Sequence, residues 1–382
     1  MTPVTNTTAP AVGIGPFSRS DLIVLIGALV LTVGAGVTAF VPSGQVVPFV
    51  LSAGAVALLA SVVGRSVDQL GDRFGPGATG VLQSALGNLP ELFIALFALR
   101  AGLVTVVQAA LIGSILANLL LVLGLSFVVG GLKHGVQRLD SHRARETAVL
   151  MVLSVAAMLV PSLTALMHTP AEGHETTLSV ITSVVLLVLF FVGLPGSLRR
   201  HRSSDAGARP GSSDEAVVRE EAESEAEGPH WPLWLALGML VASAAGAAFV
   251  SDWFVRALEP AMATFHISEA FAGLVIVAIA GNAVENVVGI QLAAQNRAEY
   301  AFSVIINSPL QIALVLAPLL VILSTTLGLT PLTLVFPPML VVSVALAVLL
   351  AVFITFDGES TWMEGATLLG LYALIAASFW WG

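Results

Sequence analysis

The chain has 382 residues, of which 57% are hydrophobic and only 10% are charged, with a net charge of −9. A soluble domain carries roughly 25% charged residues, so this composition excludes a water-soluble globule and predicts a polytopic membrane protein. The absence of cysteine excludes disulfides and thiolate chemistry. The only lysine, Lys133, lies outside any Gly-Lys-Ser/Thr loop, which excludes a nucleotide-driven pump within this chain.

Apolar stretches of about 20 residues, the length that crosses roughly 30 Å of hydrocarbon, recur along the chain. They predict an all-α membrane protein with about 11 transmembrane helices. The first stretch could be a signal peptide, but only Arg19 flanks it and its apolar core is long. The predicted spans are 21–41, 48–66, 76–100, 103–131, 144–167, 176–198, 231–250, 269–295, 299–324, 333–355 and 363–381.

The basic residues predict the orientation of these spans. With a cytoplasmic N-terminus, only Arg100 and Arg256 of the 15 Lys and Arg residues fall outside, in agreement with the positive-inside rule. We therefore expect a multi-pass protein of the cell (plasma) membrane with its N-terminus in the cytoplasm. The inside residues are Arg19, Arg65, Arg73, Lys133, Arg138, Arg143, Arg145, Arg199, Arg200, Arg202, Arg209, Arg219 and Arg297.

A polar segment from about residue 199 to 230 interrupts the apolar pattern and ends in an acidic run. A solvated linker extended by its like charges and a cytoplasmic cation-sensing helix both fit this composition. The predicted domains are an N-terminal segment with a leading helix (1–47), a first half (48–198), an acidic cytoplasmic linker (199–230) and a second half (231–382).

The two halves share a pair of motifs at a constant offset. Gly87-Asn88-Leu89-Pro90-Glu91 is echoed 194 residues later by Gly281-Asn282-Ala283-Val284-Glu285, and the same offset takes Ser114 to Ser308. The starts of the two copies are five predicted spans apart, so the second copy enters the membrane from the opposite side. Inverted repeats are typical of transporters that bind their substrate at the midplane between the repeats.

Glu91 and Glu285 lie within apolar runs, unlike almost every other acidic residue. A carboxylate there costs about 2.5–3.5 kcal/mol even on the lenient insertion scale, so it needs a partner, a proton or a cation. No Lys or Arg lies within either helix core to pair with them. The structural alternative is two protonated acids that hold helices together. Because the acids are duplicated, we predict that both bind cations and protons.

The neighbouring polar residues have the chemistry of a hard-cation site. Calcium takes roughly 6–8 oxygen ligands from carboxylates, amides, carbonyls and water. Asn88 and Asn282 precede the two acids by three positions and therefore share a helix face with them. Interhelical hydrogen bonding is the alternative role for each single polar residue. Further neutral oxygens come from Ser114, Asn118, Ser308 and Gln311.

Glycine and proline predict broken helices beside the acids. Gly87 and Gly281 weaken their helices four residues before each Glu, and Pro90 and Pro309 each deprive one carbonyl of its helical partner. A broken helix at membrane depth is tolerated where it lines a cavity or is buried in protein. We expect the freed carbonyls to be cation ligands, with a packing kink as the alternative at Pro309.

Two acids at one site also predict a mechanism. The doubly ionised, empty site is too costly to carry through a water-free state, whereas one divalent cation or protons neutralise it, and mutual repulsion raises the proton affinity of the pair. Only the loaded forms reorient, which produces exchange instead of a leak. Two protons per divalent ion make the cycle electroneutral, and a third proton or another ion makes it electrogenic.

Other function classes find less support. A channel would be built as a symmetric oligomer around a filter, whereas this chain builds a two-fold site internally. An enzyme is not predicted, because the chain has no nucleophile–base arrangement and no metalloprotease motif. The histidines show no zinc-ligand spacing. We expect no cofactor and no nucleic-acid partner; the ions are substrates and the bilayer is the surrounding medium.

These residues resemble the calcium/proton antiporter family within the cation/calcium exchanger superfamily, over most of residues 50–380. The resemblance implies one leading helix, two inverted five-helix repeats and export of cytosolic Ca²⁺ against entering H⁺, with Glu91 and Glu285 alternately holding cation and proton. The motifs that carry the resemblance are Gly87-Asn88-x-x-Glu91-Leu92, Gly113-Ser114-Ile115-Leu116-x-Asn118-Leu119-Leu120-Leu121-Val122-Leu123-Gly124, Gly281-Asn282-Ala283-x-Glu285, Ser308-x-Leu310-Gln311-Ile312-Ala313-Leu314 and Asp357-Gly358-Glu359-Ser360-x-Trp362.

Three departures from the family pattern concern the counter-ion. Leu89-Pro90 stands where the family has a small residue and Thr, and this proline is similar to the sodium/calcium exchanger branch. Asn286 stands where the family has His, and Asn307-Ser308 replaces Gly-Ser. The alternative function is therefore Na⁺/Ca²⁺ or Na⁺/H⁺ exchange through the same site.

Overall fold

The computed structural model describes residues 17–74, 86–139, 141–170, 173–204, 231–356 and 358–381, and these residues are almost entirely helical. Three π-helical turns interrupt the α-helices, and one two-stranded antiparallel ribbon joins two loops. The elements are α1 (Arg19–Phe40), α2 (Val46–Phe74), α3 (Leu89–Arg100), α4 (Val104–Leu116), π1 (Ala117–Val122), α5 (Leu123–His134), β1 (Gln137–Arg138), α6 (Ser141–Leu166), α7 (Glu175–Ser204), α8 (Leu233–Phe265), α9 (Glu269–Phe271), π2 (Ala272–Val277), α10 (Ala278–Gly281), α11 (Ala283–Ala294), α12 (Ala298–Gln311), π3 (Ile312–Leu316), α13 (Ala317–Thr326), α14 (Pro338–Thr355), β2 (Glu359–Ser360) and α15 (Trp362–Ser378).

The described residues include eight helices long and apolar enough to cross a membrane, or nine when the bent segment Glu269–Ala294 counts as one span. The chain is therefore a multi-pass helical membrane protein. The start of the predicted span 76–100 lies outside the described ranges. Most of the predicted linker, residues 205–230, also lies outside them. Helix α15 has only 17 residues. The predicted count of about 11 spans stays a prediction.

The helix boundaries repeat at the offset found in the sequence. Adding 194 to the bounds of α3 gives 283–294, which are the bounds of α11. The same shift takes the start of α4 to residue 298, where α12 begins, and the start of α5 to residue 317, where α13 begins. The internal repeat therefore extends from the motifs to the backbone.

The two motif-bearing segments run in opposite directions across the membrane. In the part of the chain that the structure describes, four apolar helices long enough to cross a membrane lie between α3 and the bent segment: Val104–His134, Val149–Leu166, Glu175–Val192 and Leu233–Phe265. An even number of intervening crossings brings the second segment in from the opposite side. This is the geometry of an inverted repeat.

The helix that carries Ser114 is fixed by buried polar contacts near its start. Gln108 Nε2 on α4 donates to the carbonyls of Thr333 and Val335 at 3.1 and 2.8 Å, and Ser162 Oγ on α6 donates to Leu334 O at 2.7 Å. Backbone groups buried at membrane depth need such partners, because no water is available to bond them. The non-helical segment of the second half is thus bonded to helices of the first.

Small residues let the helices α5 and α15 approach closely. A Cβ atom added to Gly365 would lie 2.5 Å from the carbonyl oxygen of Gly124 and 2.8 Å from Phe127 Cβ. Packing of this kind, with backbones in contact, is typical of helix pairs in membranes, where no hydrophobic force drives the association.

We expect Gly365→Ala to lower the stability of the folded protein, because overpacking a tight contact costs about 1–3 kcal/mol. The matched control is Gly370→Ala on the same helix, where an added Cβ meets nothing within 4 Å. The measurement is the apparent Tm of the purified proteins in detergent. Equal melting temperatures for the two variants would contradict this account of the α5–α15 contact.

Candidate cation-binding site

The chain leaves helical geometry just before the first acid. Asn88 is the N-cap of α3, with φ −92° and ψ 16°, and Gly87 lies in the preceding turn. Pro90 occupies the first turn of α3, where the N–H that it lacks would have no helical partner. The helix break lies at Gly87 and Asn88, within the four residues before Pro90, and Pro90 lies in the first turn of the helix that follows. Glu91 follows in the same turn and is buried.

The second half repeats this break at the equivalent asparagine. Helix α10 ends at Gly281, and Asn282 joins it to α11 with φ −99° and ψ 23°, close to the values of Asn88. The segments Glu269–Gly281 and Asn286–Ala294 are bent by 62° relative to each other. Both asparagines thus adopt a sparsely populated backbone conformation that is common at functional sites.

Glu91 contacts polar side chains from both halves of the chain. Its Oε1 atom accepts hydrogen bonds from Ser114 Oγ at 2.8 Å and from Asn282 Nδ2. Asn282 Nδ2 also lies 2.8 Å from Ser114 Oγ and 2.9 Å from the carbonyl oxygen of Ala278, one turn earlier. The break at Asn282 therefore directs this amide toward the acid of the opposite half.

Asn118 and Ser308 extend the same network. Asn118 Nδ2 lies 2.9 Å from Ser114 O, 3.1 Å from Ser308 Oγ and 3.3 Å from Asn282 Oδ1. Ser308 Oγ donates to Asn282 Oδ1 at 3.2 Å. Because a backbone carbonyl only accepts, the Asn118 group that faces Ser114 O must be its NH₂ group. All these side chains are buried, and they connect helices of the two halves at one place.

Asn88 and Gln311 form a second contact between the halves. Asn88 Nδ2 donates to Gln311 Oε1 at 3.2 Å, and both side chains are buried. Asn88, the N-cap of α3, precedes Glu91 by three residues, and Ser308 precedes Gln311 on α12 by three residues. The pair thus lies beside the Glu91 network and presents two further amide groups.

Pro309 does not break its helix. Helix α12 runs without interruption from Ala298 through Pro309 to Gln311 and passes directly into π3. The prediction of a break at Pro309 is therefore wrong. Instead, a π-helical turn follows the serine in both halves, π1 after Ser114 and π3 after Ser308. Such turns widen a helix locally and are frequent at functional sites.

Gly281 has a steric role that the sequence did not indicate. A Cβ atom at Gly281 would collide with Glu91 Cγ and lie 2.8 Å from Glu91 Oε1. Only glycine therefore leaves room for the carboxylate against the end of α10. Glu285 lies on α11, but its side chain is outside the described part of the structure. A meeting of the two carboxylates stays a prediction.

The donor set suits a hard cation held mostly by neutral oxygens. Within the described residues, no group of three or more Asp, Glu, His or Cys side chains lies close enough together to hold a metal ion. Beside the Glu91 carboxylate, the described residues offer hydroxyl, amide and carbonyl oxygens, which calcium accepts as ligands. The site can also hold a proton on Glu91, because a protonated carboxyl still accepts at its carbonyl oxygen.

A small, mostly apolar cavity of about 20 Å³ extends from Glu91 and Ser114. Its far end is lined by Ala98 on α3 and Val106 on α4, close to the loop that joins the two helices. Sequence reasoning missed this cavity and the π-helical turns. The remaining lining residues are Ile94, Ala95, Val107, Ala110, Leu111, Val277 and Leu316.

The chain matches the model of a known protein family and several characterised relatives. The sodium/calcium exchanger protein model matches residues 44–197 and 235–381, which together are most of the chain. A Ca²⁺/H⁺ antiporter of Synechocystis sp. is 36% identical over 344 residues, covering 88% of this chain and 91% of that protein. The Ca²⁺/H⁺ antiporter ChaA of Bacillus subtilis is 36% identical over 325 residues, covering 85% and 89% of the two chains.

The fold is also similar to a solved structure. Native YfkE superposes with a TM-score of 0.75 at 32% sequence identity, and the match covers 94% of this chain and 98% of that chain. A second crystal structure of YfkE describes it as a Ca²⁺/H⁺ antiporter protein. A match over 94% of this chain includes residues of both halves.

We expect Gly281→Ala to abolish cation binding at Glu91, because the added methyl group would displace the carboxylate from Ser114 and Asn282. Gly238→Ala is the control, since an added Cβ there meets nothing within 4 Å. Calorimetric titration of the purified proteins with Ca²⁺ measures the effect. Wild-type affinity in Gly281→Ala would contradict the placement of Glu91 against α10.

Proposed function

This chain belongs to the calcium/proton antiporter family of sodium/calcium exchanger proteins, and we propose that it is a secondary antiporter that exchanges cytosolic Ca²⁺ for H⁺. The observation that carries the proposal is the buried carboxylate of Glu91, bonded by Ser114 of its own half and Asn282 of the other. A site assembled from two repeats at helix breaks is typical of secondary transporters. The protein is a transporter and not an enzyme.

The side chains around Glu91 can accommodate either a proton or Ca²⁺. A serine hydroxyl donates to a carboxyl group and can instead turn its oxygen toward a cation. An asparagine amide offers an NH₂ group or, after rotation, a carbonyl oxygen. Ser114 and Asn282 therefore satisfy Glu91 when it carries a proton and become oxygen ligands when Ca²⁺ arrives. One constellation thus accommodates both ions without an unpaired buried charge.

Glu285 completes the proposed cycle as the second acid. Two ionised carboxylates facing each other without a cation are unfavourable in a medium of low dielectric constant. One Ca²⁺ or two protons cancel their charge, so both loaded forms can move between the two faces while the empty charged form cannot. Coupled exchange follows from this rule, and two protons per Ca²⁺ make it electroneutral. Both carboxylates would be metal ligands in one half-cycle and proton carriers in the other.

The direction of transport rests on the orientation of the chain. With the N-terminus in the cytoplasm of a cell bounded by a plasma membrane, Arg100 and Arg256 alone of the 15 basic residues face outward. The loop after α3 is then external, and the turn between α11 and α12, which holds Arg297, is internal. Ca²⁺ enters from the Arg297 side and leaves toward the Arg100 side, while protons travel in reverse.

A second candidate is Na⁺-coupled exchange through the same site. Two sequence features favour it: Pro90 precedes Glu91 as in the sodium/calcium exchanger branch, and Asn286 stands beside Glu285 where the family has histidine. A neutral amide cannot accept a proton at physiological pH. Proton coupling must therefore rely on the two carboxylates, and sodium could replace protons there.

Reconstituted vesicles separate these functions. We expect Ca²⁺ uptake to follow an imposed pH gradient at equal Na⁺ on both sides, because protons are the proposed counter-ion. Parallel measurements with Na⁺, K⁺ and Mn²⁺ in place of Ca²⁺ or as the opposing ion define the selectivity. Uptake that tracked a sodium gradient and ignored the pH gradient would replace Ca²⁺/H⁺ exchange with the alternative.

We expect Glu91→Gln and Glu285→Gln each to reduce exchange to background while the protein stays folded, because glutamine resembles the protonated acid but cannot give up a proton. Glu269→Gln is the matched control: this acid is exposed at the start of the segment that carries Asn282. Initial rates of Ca²⁺ flux in vesicles, with elution profiles as a test of folding, provide the readout. Full transport in both single variants would contradict the assignment of the site.

A further inference from the structure

The two repeats are packed differently at equivalent positions one turn beyond the site. In the second half, Gly289 on α11 lies against Ile305 on α12. A Cβ atom at Gly289 would lie 2.7 Å from Ile305 Cγ1, 2.8 Å from Ile305 Cδ1 and 3.5 Å from Val122 Cγ1. Ile305 has no exposed surface, so it has little freedom to move away. At this place α11 and α12 are in direct contact.

The equivalent positions of the first half line the cavity. Subtracting 194 takes Gly289 to Ala95 on α3 and Ile305 to Leu111 on α4. Ala95 and Leu111 both border the small cavity of about 20 Å³ that begins at Glu91. The same pair of helix positions is therefore in direct contact in one half and borders a small cavity in the other.

Both pairs occupy the same place relative to the site. Ala95 follows Glu91 by four residues, and Gly289 follows Glu285 by four, so each lies one turn farther along the same helix face. Because the two repeats run in opposite directions, one pair lies toward the face that holds Arg100 and the other toward the face that holds Arg297. Each pair therefore lies between the site and one face of the membrane.

We propose that Gly289 and Ile305 form the gate on the Arg297 face, and that Ala95 and Leu111 form its counterpart on the Arg100 face. In the described conformation the Gly289–Ile305 gate is shut. Separation of α11 from α12 at Gly289 opens the path to the Arg297 face, and approach of α3 to α4 at Ala95 closes the cavity on the other. Glycine is required at 289 because any Cβ would prevent the shut contact.

The role of the gate rests on the proposed exchange function. The test of the gate measures the conformation of the protein and does not require transport. A side chain at position 289 that fits only when α11 and α12 are separated destabilises the shut conformation. The population shifts toward the open conformation by the same free energy. Gly289→Ala should therefore favour the conformation open to the Arg297 face. Ile305→Ala, which removes packing from the shut contact, should act in the same direction.

Thiol labelling measures the two openings separately, because the chain contains no cysteine of its own. Ala110→Cys reports on the cavity, which Ala110 lines, and Val304→Cys is its equivalent in the second half, 194 residues later. The reaction rate of each cysteine with a maleimide is followed in the purified full-length protein. In the Gly289→Ala background we expect labelling at position 110 to slow, and labelling at position 304 to accelerate, each by about fivefold or more.

Two further variants make the outcome decisive. Gly289→Ala combined with Ile305→Ala should return both rates toward wild type, since the added methyl group fills space that the isoleucine leaves. Gly238→Ala, at a helical glycine with open space, should change neither rate. Unchanged rates in both Gly289→Ala and Ile305→Ala, or a double variant that departs further from wild type, would overturn the gate. Absence of Ca²⁺ flux in the wild type would instead refute the exchange function.

Discussion

The burial of the Glu91 carboxyl group is the constraint on which the rest of the site depends. An ionised acid within a helix bundle costs about 2.5–3.5 kcal/mol or more unless it finds compensation. Here the compensation comes from a hydroxyl of the same half and an amide of the other, Ser114 and Asn282. The first half alone does not supply both contacts to Glu91, so this environment exists only where the repeats meet. Shared polar contacts therefore join the two halves within the apolar core that both halves build.

The break at Asn282 makes this sharing possible. In an unbroken helix the asparagine side chain would point along its own helix face, and the segment could not bend by 62°. The nearly identical backbone angles of Asn88 and Asn282 show that the same local geometry arises twice from the same motif. Gly281 adds the space that the opposite carboxylate needs. The hydrogen bond from Asn282 to Glu91 therefore depends both on the backbone break at Asn282 and on the space left by Gly281.

Much of the site could be predicted from spacing, because equal intervals in an inverted repeat bring equivalent residues to one place. That argument correctly grouped Ser114, Asn118, Asn282 and Ser308 with Glu91. It failed at Pro309, because the rule that proline ends a helix applies to an isolated helix, whereas α12 is held by its neighbours on nearly every side. The role of Gly281 was also inaccessible, since a close approach to Glu91 depends on packing between distant segments.

The two ends of the ion path have the same backbone plan but different side chains. At the offset of 194 residues, Ala95 and Leu111 correspond to Gly289 and Ile305, and Asn118 corresponds to Ile312. If the halves were identical in sequence, the two openings would have equal energy and neither face would be preferred. Because contact at Gly289 excludes even one methyl group while the space at Ala95 already holds one, the two closures cannot be equally favourable. The divergence between the repeats therefore sets which face is open at rest, while their shared motifs keep the binding site the same in both orientations.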